Sequence, residues 1–284
     1  MTDKRFRKTK EEVEIIGEYA ALLAEQHQPV TVRQIFYQLV SKGIVNKTEE
    51  EYGGTVVRLL RDLRLSGRIS WDWIADSTRW MRKPITYSSV EAALRRTASL
   101  YRRSVWDEQD TYVEVWLEKD ALVGTILEVT AEYDVPLMVN KGYASLSFLH
   151  LAAEAIEAQG KPAYIYYLGD SDPSGNDIAR NTEARLRQFA PKADLHFVRV
   201  AVLPWQIKLW NLPVRPTKAS DPRAQKAQGQ DSVEVDAIDP MQLRALVRDS
   251  IEQHIDQHVL KQIQVVEDSE REWLERLVAD IQRV

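Results

Sequence analysis

The sequence predicts an α/β protein: a small helical domain with a wing, then a mostly parallel sheet covered by helices, then a C-terminal helical segment. Two observations predict this fold class. Apolar residues recur at helical spacing through most of the first hundred residues. From about residue 111, short apolar runs typical of buried strands alternate with helical stretches. We place the three parts at 1–110, 111–240 and 241–284.

Composition narrows the class of protein. The 284 residues are 44% hydrophobic and 29% charged, which is typical of a globular chain and excludes collagen-like and disordered classes. Without cysteine, disulfides and thiolate metal sites are excluded. The start MTDKRFRKTKEE lacks the apolar core of a signal peptide, and no run of eighteen apolar residues follows. We therefore expect a cytoplasmic protein that does not contact a membrane.

The net charge of −5 conceals a strong asymmetry along the chain. Residues 1–110 carry 19 basic and 16 acidic side chains, whereas the remainder carries 19 and 27. Within 52–105 there are 11 basic and 4 acidic residues. Because phosphate binding depends on local lysine and arginine, this basic segment keeps nucleic acid open as a partner and indicates a nucleoid-associated location.

The N-terminal elements can be justified in order. Residues 11–27 carry apolar positions at helical spacing, and Thr31 can cap a second helix that ends near Gly43. Thr48 and Glu51 form a capping box for a third helix that runs to Gly67. RISWDWIADSTRW then alternates enough for a strand pair. Three helices and a wing are typical of a winged helix-turn-helix domain.

Basic side chains mark the surface of this domain that would meet DNA. A solvated basic face on a helical bundle explains the arginines of the third helix about equally well. The proline-rich stretch 204–230 carries further basic residues and can contribute to the same surface or form a solvated connection. The candidate DNA-binding residues are Arg58, Arg61, Arg64, Arg68, Arg79, Lys218 and Arg223.

Arg33 and Tyr37 form a pair on the second helix. They lie four residues apart and therefore side by side, and both are expected off the apolar stripe. Such a tyrosine is usually a residue at the edge of the core. It can also be a nucleophile, which requires a nearby cation to stabilise the phenolate or the attacked phosphate. Arg33 is placed to be that cation.

Three acids follow strands in the second domain. Strands are predicted at YVEVWL, VPLMVN, AYIYYL and LHFVRVAVL, with helices between them. Glu118 directly follows the first, while Asp170 and Asp172 follow the third in the string GDSDPSG. Because ligands bind beyond the carboxyl ends of parallel strands, the three carboxylates should share one edge. An all-oxygen set predicts a site for Mg²⁺, with Mn²⁺ as a substitute. Glu234 and Asp236 in VEVDAIDP are expected to be an exposed pair, or to join this edge if their segment forms an edge strand.

These motifs resemble a known family. EVWLEKDA followed by YLGDSDPSGNDIARN is similar to the Toprim fold of topoisomerases, bacterial primases and some nucleases. NKGYAS and the DPSG extension resemble, more narrowly, the topoisomerase VI A subunit and the related meiotic double-strand-break protein. In that family a winged-helix domain with the catalytic tyrosine precedes Toprim, and TVRQIFY matches its tyrosine string. The resemblance spans roughly residues 28–200 and includes short, stand-alone A-subunit-like proteins of phages and mobile elements.

The resemblance implies a function for each candidate residue. It implies a homodimer in which Tyr37 of one chain works with Glu118, Asp170 and Asp172 of the other on double-stranded DNA. Those carboxylates would hold magnesium, Lys119 would help neutralise the phosphate, and Tyr37 would form a 5′-phosphotyrosyl link. The family's A subunit works with an ATP-hydrolysing B subunit. This chain has no GxxxxGK[ST] loop and only a short RFRKTK extension, so such a partner stays open.

Three alternatives to this interpretation remain. A Toprim nuclease would hydrolyse DNA with metal-activated water and use Tyr37 only structurally. A DNA-binding regulator would keep the basic domain without catalysis. A sugar transferase of the DxD type would explain the two aspartates but leave the basic helical domain unexplained.

Overall fold

Three helices form the N-terminal part of the computed structural model, which describes residues 8–75, 84–216 and 231–281. The predicted helices are confirmed, with the third entered through a π-helical segment that places Gly53 and Gly54 before its α-helical part. The elements are α1 (Lys10–His27), α2 (Val32–Ser41), the π-helical Glu50–Val57 and α3 (Arg58–Leu65).

Local side-chain caps fix where α2 and the π-helical segment begin. Thr31 Oγ1 accepts a 3.1 Å hydrogen bond from the Gln34 backbone, and Gln34 Oε1 accepts one of 2.9 Å from the Thr31 backbone. Thr48 Oγ1 accepts from the Glu51 backbone at 3.2 Å. Gly43, with φ of 69°, follows the end of α2 in a left-handed conformation that glycine adopts without strain.

The predicted wing is not formed in the part of it that the structure describes. Trp71–Trp73 is a single 3₁₀ turn rather than a strand. Ile74 makes one isolated bridge to Val30, which tethers this segment to the start of α2 instead of to a hairpin partner. Residues 76–83, which include Arg79, lie outside the described residues. The alternation in RISWDW is not matched by alternate burial, because Ile69 is buried whereas Trp71 is exposed.

Four parallel strands form the sheet of the second part, as the βα alternation predicts. They run in the spatial order β2–β1–β3–β4, so β1 and β3 are central neighbours and their carboxyl ends lie together. All six residues of β1 are buried, which is typical of a parallel strand covered on both faces. The strands are β1 (Tyr112–Leu117), β2 (Leu137–Val139), β3 (Ala163–Leu168) and β4 (Leu195–Ala201).

Helices cover the two faces of this sheet with two apolar clusters. One cluster joins α5, α9 and the N-terminal helices to the sheet, so the helical part and the sheet share a continuous core. The other lies under α6 and α7. These helices are α4 (Val90–Leu100), α5 (Val123–Glu132), α6 (Leu146–Ala158), α7 (Pro173–Phe189), α8 (Pro204–Leu209) and α9 (Pro240–Glu252).

The C-terminal segment is helical, as predicted, and it ties the other parts together. Arg244 on α9 donates to the carbonyls of His27, Pro29 and Thr125 and thereby bridges the first helix and the sheet domain. The last helix, α10 (Gln257–Ile281), packs along α4. A two-stranded ladder of β5 (Arg215–Pro216) and β6 (Asp231–Ser232) lies between α8 and α9 in the chain. No helix among the described residues is both long and apolar enough to cross a membrane.

Candidate functional site

The carboxyl ends of β1 and β3 bring two of the predicted acids into contact. The backbone N–H of Glu118 donates to the carbonyl of Leu168, which continues the parallel ladder one residue beyond β1. The backbone N–H of Asp170 then donates to Glu118 Oε2 at 3.1 Å. The two acids are therefore held at one edge of the sheet, as the strand-end rule predicts.

Two glycines of GDSDPSG make this close approach possible. A Cβ at Gly169 would lie 2.6 Å from Glu118 Oε2, and one at Gly175 would lie 2.3 Å from the Asp170 carbonyl oxygen. Both separations are shorter than any ordinary contact. Because a side chain at either position would displace an acid or the backbone between them, the motif needs glycine for steric reasons.

Asp172 caps the helix that begins at this edge. Its Oδ1 accepts a 2.7 Å hydrogen bond from the Gly175 backbone, and Pro173 occupies the first helical position of α7. The carboxylate thus has a structural role of its own. Its second oxygen leaves it able to contribute to a shared site with Glu118 and Asp170.

Lys119 lies at the centre of a group of carboxylates. Its ammonium is 2.9 Å from Asp170 Oδ2, 3.0 Å from Glu234 Oε2 and 3.0 Å from Asp236 Oδ2. Burial by itself would lower the pKa of Lys119, but these three carboxylates outweigh it and raise that pKa. The lysine is therefore a fixed positive charge within the site.

Glu234 and Asp236 belong to the site, so the expectation that they form an exposed pair was wrong. Ser171 and Val233 exchange backbone hydrogen bonds of 2.8 and 3.1 Å, which lays the VEVDA segment antiparallel to the GDSD turn. The Val235 N–H also donates to Asp170 Oδ1 at 2.9 Å. The signal in the sequence was the alternation of acids with buried valines, which directs both acids to one side.

Burial raises the pKa of two of these acids, whereas nearby cations lower the pKa of a third. It raises the pKa of Glu118 to about 7, and the neighbouring Asp170 carboxylate adds to that shift. Burial also raises the pKa of Asp170, although Lys119 opposes it. For Glu234 the effect of burial is outweighed by Lys119 and Arg33, which lower its pKa to about 2. Glu234 is thus ionised, whereas the charge of Lys119 is too weak to offset the burial of Glu118.

Arg33 joins this cluster from the N-terminal helices. Its Nη1 donates to Glu234 Oε2 at 3.2 Å, and its guanidinium lies 4.6 Å from the centre of the Tyr52 ring. Burial alone would lower the pKa of Arg33, but the Glu234 carboxylate outweighs it and raises that pKa. The tertiary structure therefore brings a residue of α2 to the same place as the strand-end acids.

Tyr37 lies one turn further along α2 and is fully buried, so its expected position off the apolar stripe was wrong. Its ring packs 5.4 Å from that of Phe36, and Lys47 Nζ lies 5.2 Å from the ring centre. Within the described part of the chain, its hydroxyl makes no hydrogen bond of ordinary geometry. Burial, followed by the negative charge of Glu234, raises the pKa of Tyr37. The phenol is therefore neutral in this arrangement.

A cleft of about 510 Å³ separates the helical part from the sheet edge. Its walls combine three cations, Arg33, Arg64 and Lys119, with three acids, Asp120, Glu234 and Asp236. The Arg64 guanidinium also lies 4.4 Å from the Trp71 ring centre. The cleft is thus the place where an anionic chain would meet the cations of both parts.

The other predicted DNA-binding residues lie elsewhere. Arg58, Arg61 and Arg68 are exposed on the surface of the helical part, where Arg61 pairs with its neighbour Asp62. Lys218 and Arg223, like Arg79, fall outside the described residues. A basic face therefore exists along α3, of which only Arg64 reaches the cleft.

The donor set fits a hard divalent cation, although in residues 8–75, 84–216 and 231–281 no three acids or histidines already stand in a metal-binding arrangement. The donors of Glu118, Asp170 and Asp172 are all carboxylate oxygens, the ligands that Mg²⁺ prefers. One oxygen each of Glu118 and Asp172 is occupied by a backbone N–H, which leaves the other for a ligand. Both oxygens of Asp170 already have partners, the Val235 N–H and Lys119, so a cation would have to share or replace one of these contacts. A cation there would also offset the unfavourable burial of ionised Glu118.

Neither the protein-family models nor the curated proteins with which the chain was compared match it.

Proposed function

We propose that this chain cleaves duplex DNA by Mg²⁺-dependent tyrosine transesterification, in the manner of a type IIB topoisomerase A subunit acting as a homodimer. One observation carries the proposal: a continuous series of ion pairs joins Arg33 on the tyrosine helix, through Glu234 and Lys119, to Asp170 in the carboxylate cluster. The helix that carries the candidate nucleophile is therefore linked by charge to the candidate metal ligands of its own chain. In this proposal Tyr37 acts with those ligands rather than with the partner's, which the resemblance implies.

The proposed step uses the groups of this site as follows. The Tyr37 oxygen forms a bond to phosphorus, and the bond from phosphorus to the 3′-oxygen breaks. The phenol loses its proton to water, and the 3′-oxygen gains one, which leaves a 5′-phosphotyrosyl link and a free 3′-hydroxyl. Arg33 and Lys119 would contact the phosphate oxygens, where positive charge stabilises the transition state.

The carboxylates would complete the site. Glu118, Asp170 and Asp172 would hold Mg²⁺, which supplies further positive charge beside the scissile phosphate when bound. The exposed arginines Arg58, Arg61 and Arg68 would contact the backbone of the duplex on either side. Two cleavages by two chains would give a staggered double-strand break.

Trapping of the covalent intermediate tests the proposal. Supercoiled plasmid is incubated with the chain and Mg²⁺ and then denatured, and protein-linked 5′ ends are scored on a gel. We expect an adduct in the unaltered chain and none in Tyr37→Phe. Tyr19→Phe is the matched control, because Tyr19 is exposed on α1. An adduct that survives in Tyr37→Phe would overturn the assignment of the nucleophile.

The complete burial of Tyr37 favours a second candidate, hydrolysis of DNA at the carboxylate cluster without a covalent intermediate. Here a water oxygen would bond to phosphorus in place of the phenol oxygen, so Tyr37 would serve only the core. This nuclease predicts cleavage that is unchanged in Tyr37→Phe and lost in Asp170→Asn. The same gel therefore separates the two functions.

A further inference from the structure

Among the carboxylates of the site within the described residues, only Glu234 contacts cations from three separate parts of the chain. Arg33 of α2 lies 3.2 Å from its Oε2, Lys119 of the β1 end lies 3.0 Å from the same oxygen, and Arg215 of β5 lies 3.6 Å from its Oε1. Its side chain is only 18% exposed. Glu234 therefore fixes the tyrosine helix to the sheet edge within one chain.

Further contacts lie around Tyr37. Lys47, beside the Tyr37 ring, donates a 2.5 Å hydrogen bond to the carbonyl of Pro213, and Arg215 also reaches Glu49 at 3.4 Å. Glu234, Arg215 and Arg33 all influence the pKa of Tyr37, so these charged groups lie close to the phenol. With its side chain fully buried, Tyr37 cannot reach a phosphate in this arrangement.

We infer that Glu234 is a positioning residue: it holds α2 on the carboxylate site and keeps Tyr37 covered until a DNA phosphate replaces it as the partner of Arg33 and Lys119. The inference rests on the proposed function of Tyr37. Arg33, Lys119 and Glu234 line the same cleft, so a phosphodiester that enters it meets both cations at once. Exchange of one anion for another then frees α2 without leaving either cation unpaired.

Hydroxyl-radical footprinting tests this inference, because oxidation of a tyrosine by radicals follows its exposure rather than its ionisation. The full chain is oxidised briefly, and each tyrosine is quantified by mass spectrometry, with exposed Tyr19 as the internal reference. We expect slow oxidation of Tyr37 in the unaltered chain. In Glu234→Gln the central anion is lost, and the oxidation rate of Tyr37 should rise about tenfold. A loss of about 1.4 kcal/mol of contact energy raises the population with exposed Tyr37 by that factor.

Matched variants and a DNA arm sharpen the test. Glu49→Gln removes another carboxylate that pairs with Arg215 but touches neither Arg33 nor Lys119, and it should leave Tyr37 protected. Lys47→Met breaks the contact with Pro213 from the helical side and should expose Tyr37 even if Glu234→Gln fails to fold. A short duplex with Mg²⁺ should raise Tyr37 oxidation in the unaltered chain. An unchanged Tyr37 rate in folded Glu234→Gln, or with bound duplex, would overturn the inference.

The outcomes also separate this inference from the proposed function. If Tyr37 becomes accessible in Glu234→Gln but no chain forms an adduct with DNA, Glu234 positions α2 as inferred and the transesterification is wrong. If the unaltered chain forms an adduct while Tyr37 accessibility is the same in every variant, the transesterification stands and the role of Glu234 is wrong.

Discussion

Arg33 donates a 3.2 Å hydrogen bond to Glu234, although 201 residues separate the two in the chain. This contact joins the second helix to a segment that follows the whole parallel sheet. The acids at the strand ends and the tyrosine helix consequently form one site with a shared charge balance. The predictions below probe that balance and the steric requirements of the site.

Lys119 should be essential for stability because three carboxylates share its ammonium. In Lys119→Met, Asp170 and Asp236 lose this cation while Glu234 keeps Arg33 and Arg215, so the free energy of unfolding at pH 7 should fall by about 3–5 kcal/mol. The loss should be smaller at pH 5, because the unpaired acids then bind protons more readily in the folded state. Urea unfolding at both pH values measures this, and Lys141→Met, in an exposed pair with Asp120, should cost under about 1 kcal/mol.

The burial of Glu114, outside the candidate site, predicts that the free energy of unfolding depends on pH. This buried strand residue accepts hydrogen bonds from Tyr112 and Trp116, yet burial raises its pKa from 4.5 to about 7. Because the folded pKa is the higher one, its stabilising contribution is complete below pH 4.5 and is lost as the pH rises through 7. The loss should be about 3 kcal/mol. Equilibrium unfolding between pH 4 and 8 should show this decline. Glu114→Gln should make it shallower and leave the part that Glu118 contributes, whereas parallel curves for the two proteins would contradict the shift.

Asp172→Asn separates the two roles of Asp172. Asparagine caps helices about as well as aspartate, so α7 should form normally while the negative charge disappears. If the cluster binds Mg²⁺, the ion should stabilise the unaltered chain by about 2.7 kcal/mol at a hundred times its dissociation constant. Thermal unfolding with and without MgCl₂ should show that gain in the unaltered chain and in Asp194→Asn, an exposed control, but little of it in Asp172→Asn. Equal gains in all three proteins would place the ion elsewhere.

Gly175→Ala should disrupt the site sterically. The new methyl group would lie 2.3 Å from the Asp170 carbonyl oxygen, and the resulting backbone shift should cost about 1–3 kcal/mol. Gly53→Ala is the matched control, because its Cβ would have no neighbour within 4 Å among the described residues. That change lies in a helical segment and should be neutral or stabilising by up to about 1 kcal/mol. Similar unfolding midpoints for the two variants would show that the turn adapts to a side chain.

Arg58→Gln should weaken binding to duplex DNA of any sequence. Arg58 is exposed on α3, so its loss should leave the fold intact while removing one phosphate contact. The slope of the logarithm of the binding constant against that of the salt concentration should become shallower by about 1. Fluorescence anisotropy at several salt concentrations measures the slope. Arg276→Gln on the far C-terminal helix should leave it unchanged, and a loss of equal size there would indicate a nonspecific charge effect.

Some features of the site followed from local sequence alone. The parallel direction of the strands and their cover of helices could be predicted because βα alternation has few other solutions. Glu118 and Asp170 were predicted as neighbours because the rule for strand ends needs only that β1 and β3 pair.

Other features depended on contacts between distant segments. Periodicity placed Tyr37 off the apolar stripe, but Tyr37 is fully buried in the structure, where the 3₁₀ turn Val235–Ala237 packs against α2. The tether at Ile74 likewise replaces the expected strand pair in its described part.

The sequence by itself determined the α/β class, the helix caps and the edge of the sheet at which the acids collect, because each of these depends on residues close in the chain or on a general rule of parallel sheets. Only the tertiary structure decided which charges neutralise one another. The pairing of Ser171 with Val233 brings Glu234 and Asp236 to Lys119. The packing of α2 on the 3₁₀ turn Val235–Ala237 brings Arg33 to Glu234. Electrostatic energy depends on distance in space, so no local pattern could specify these partners.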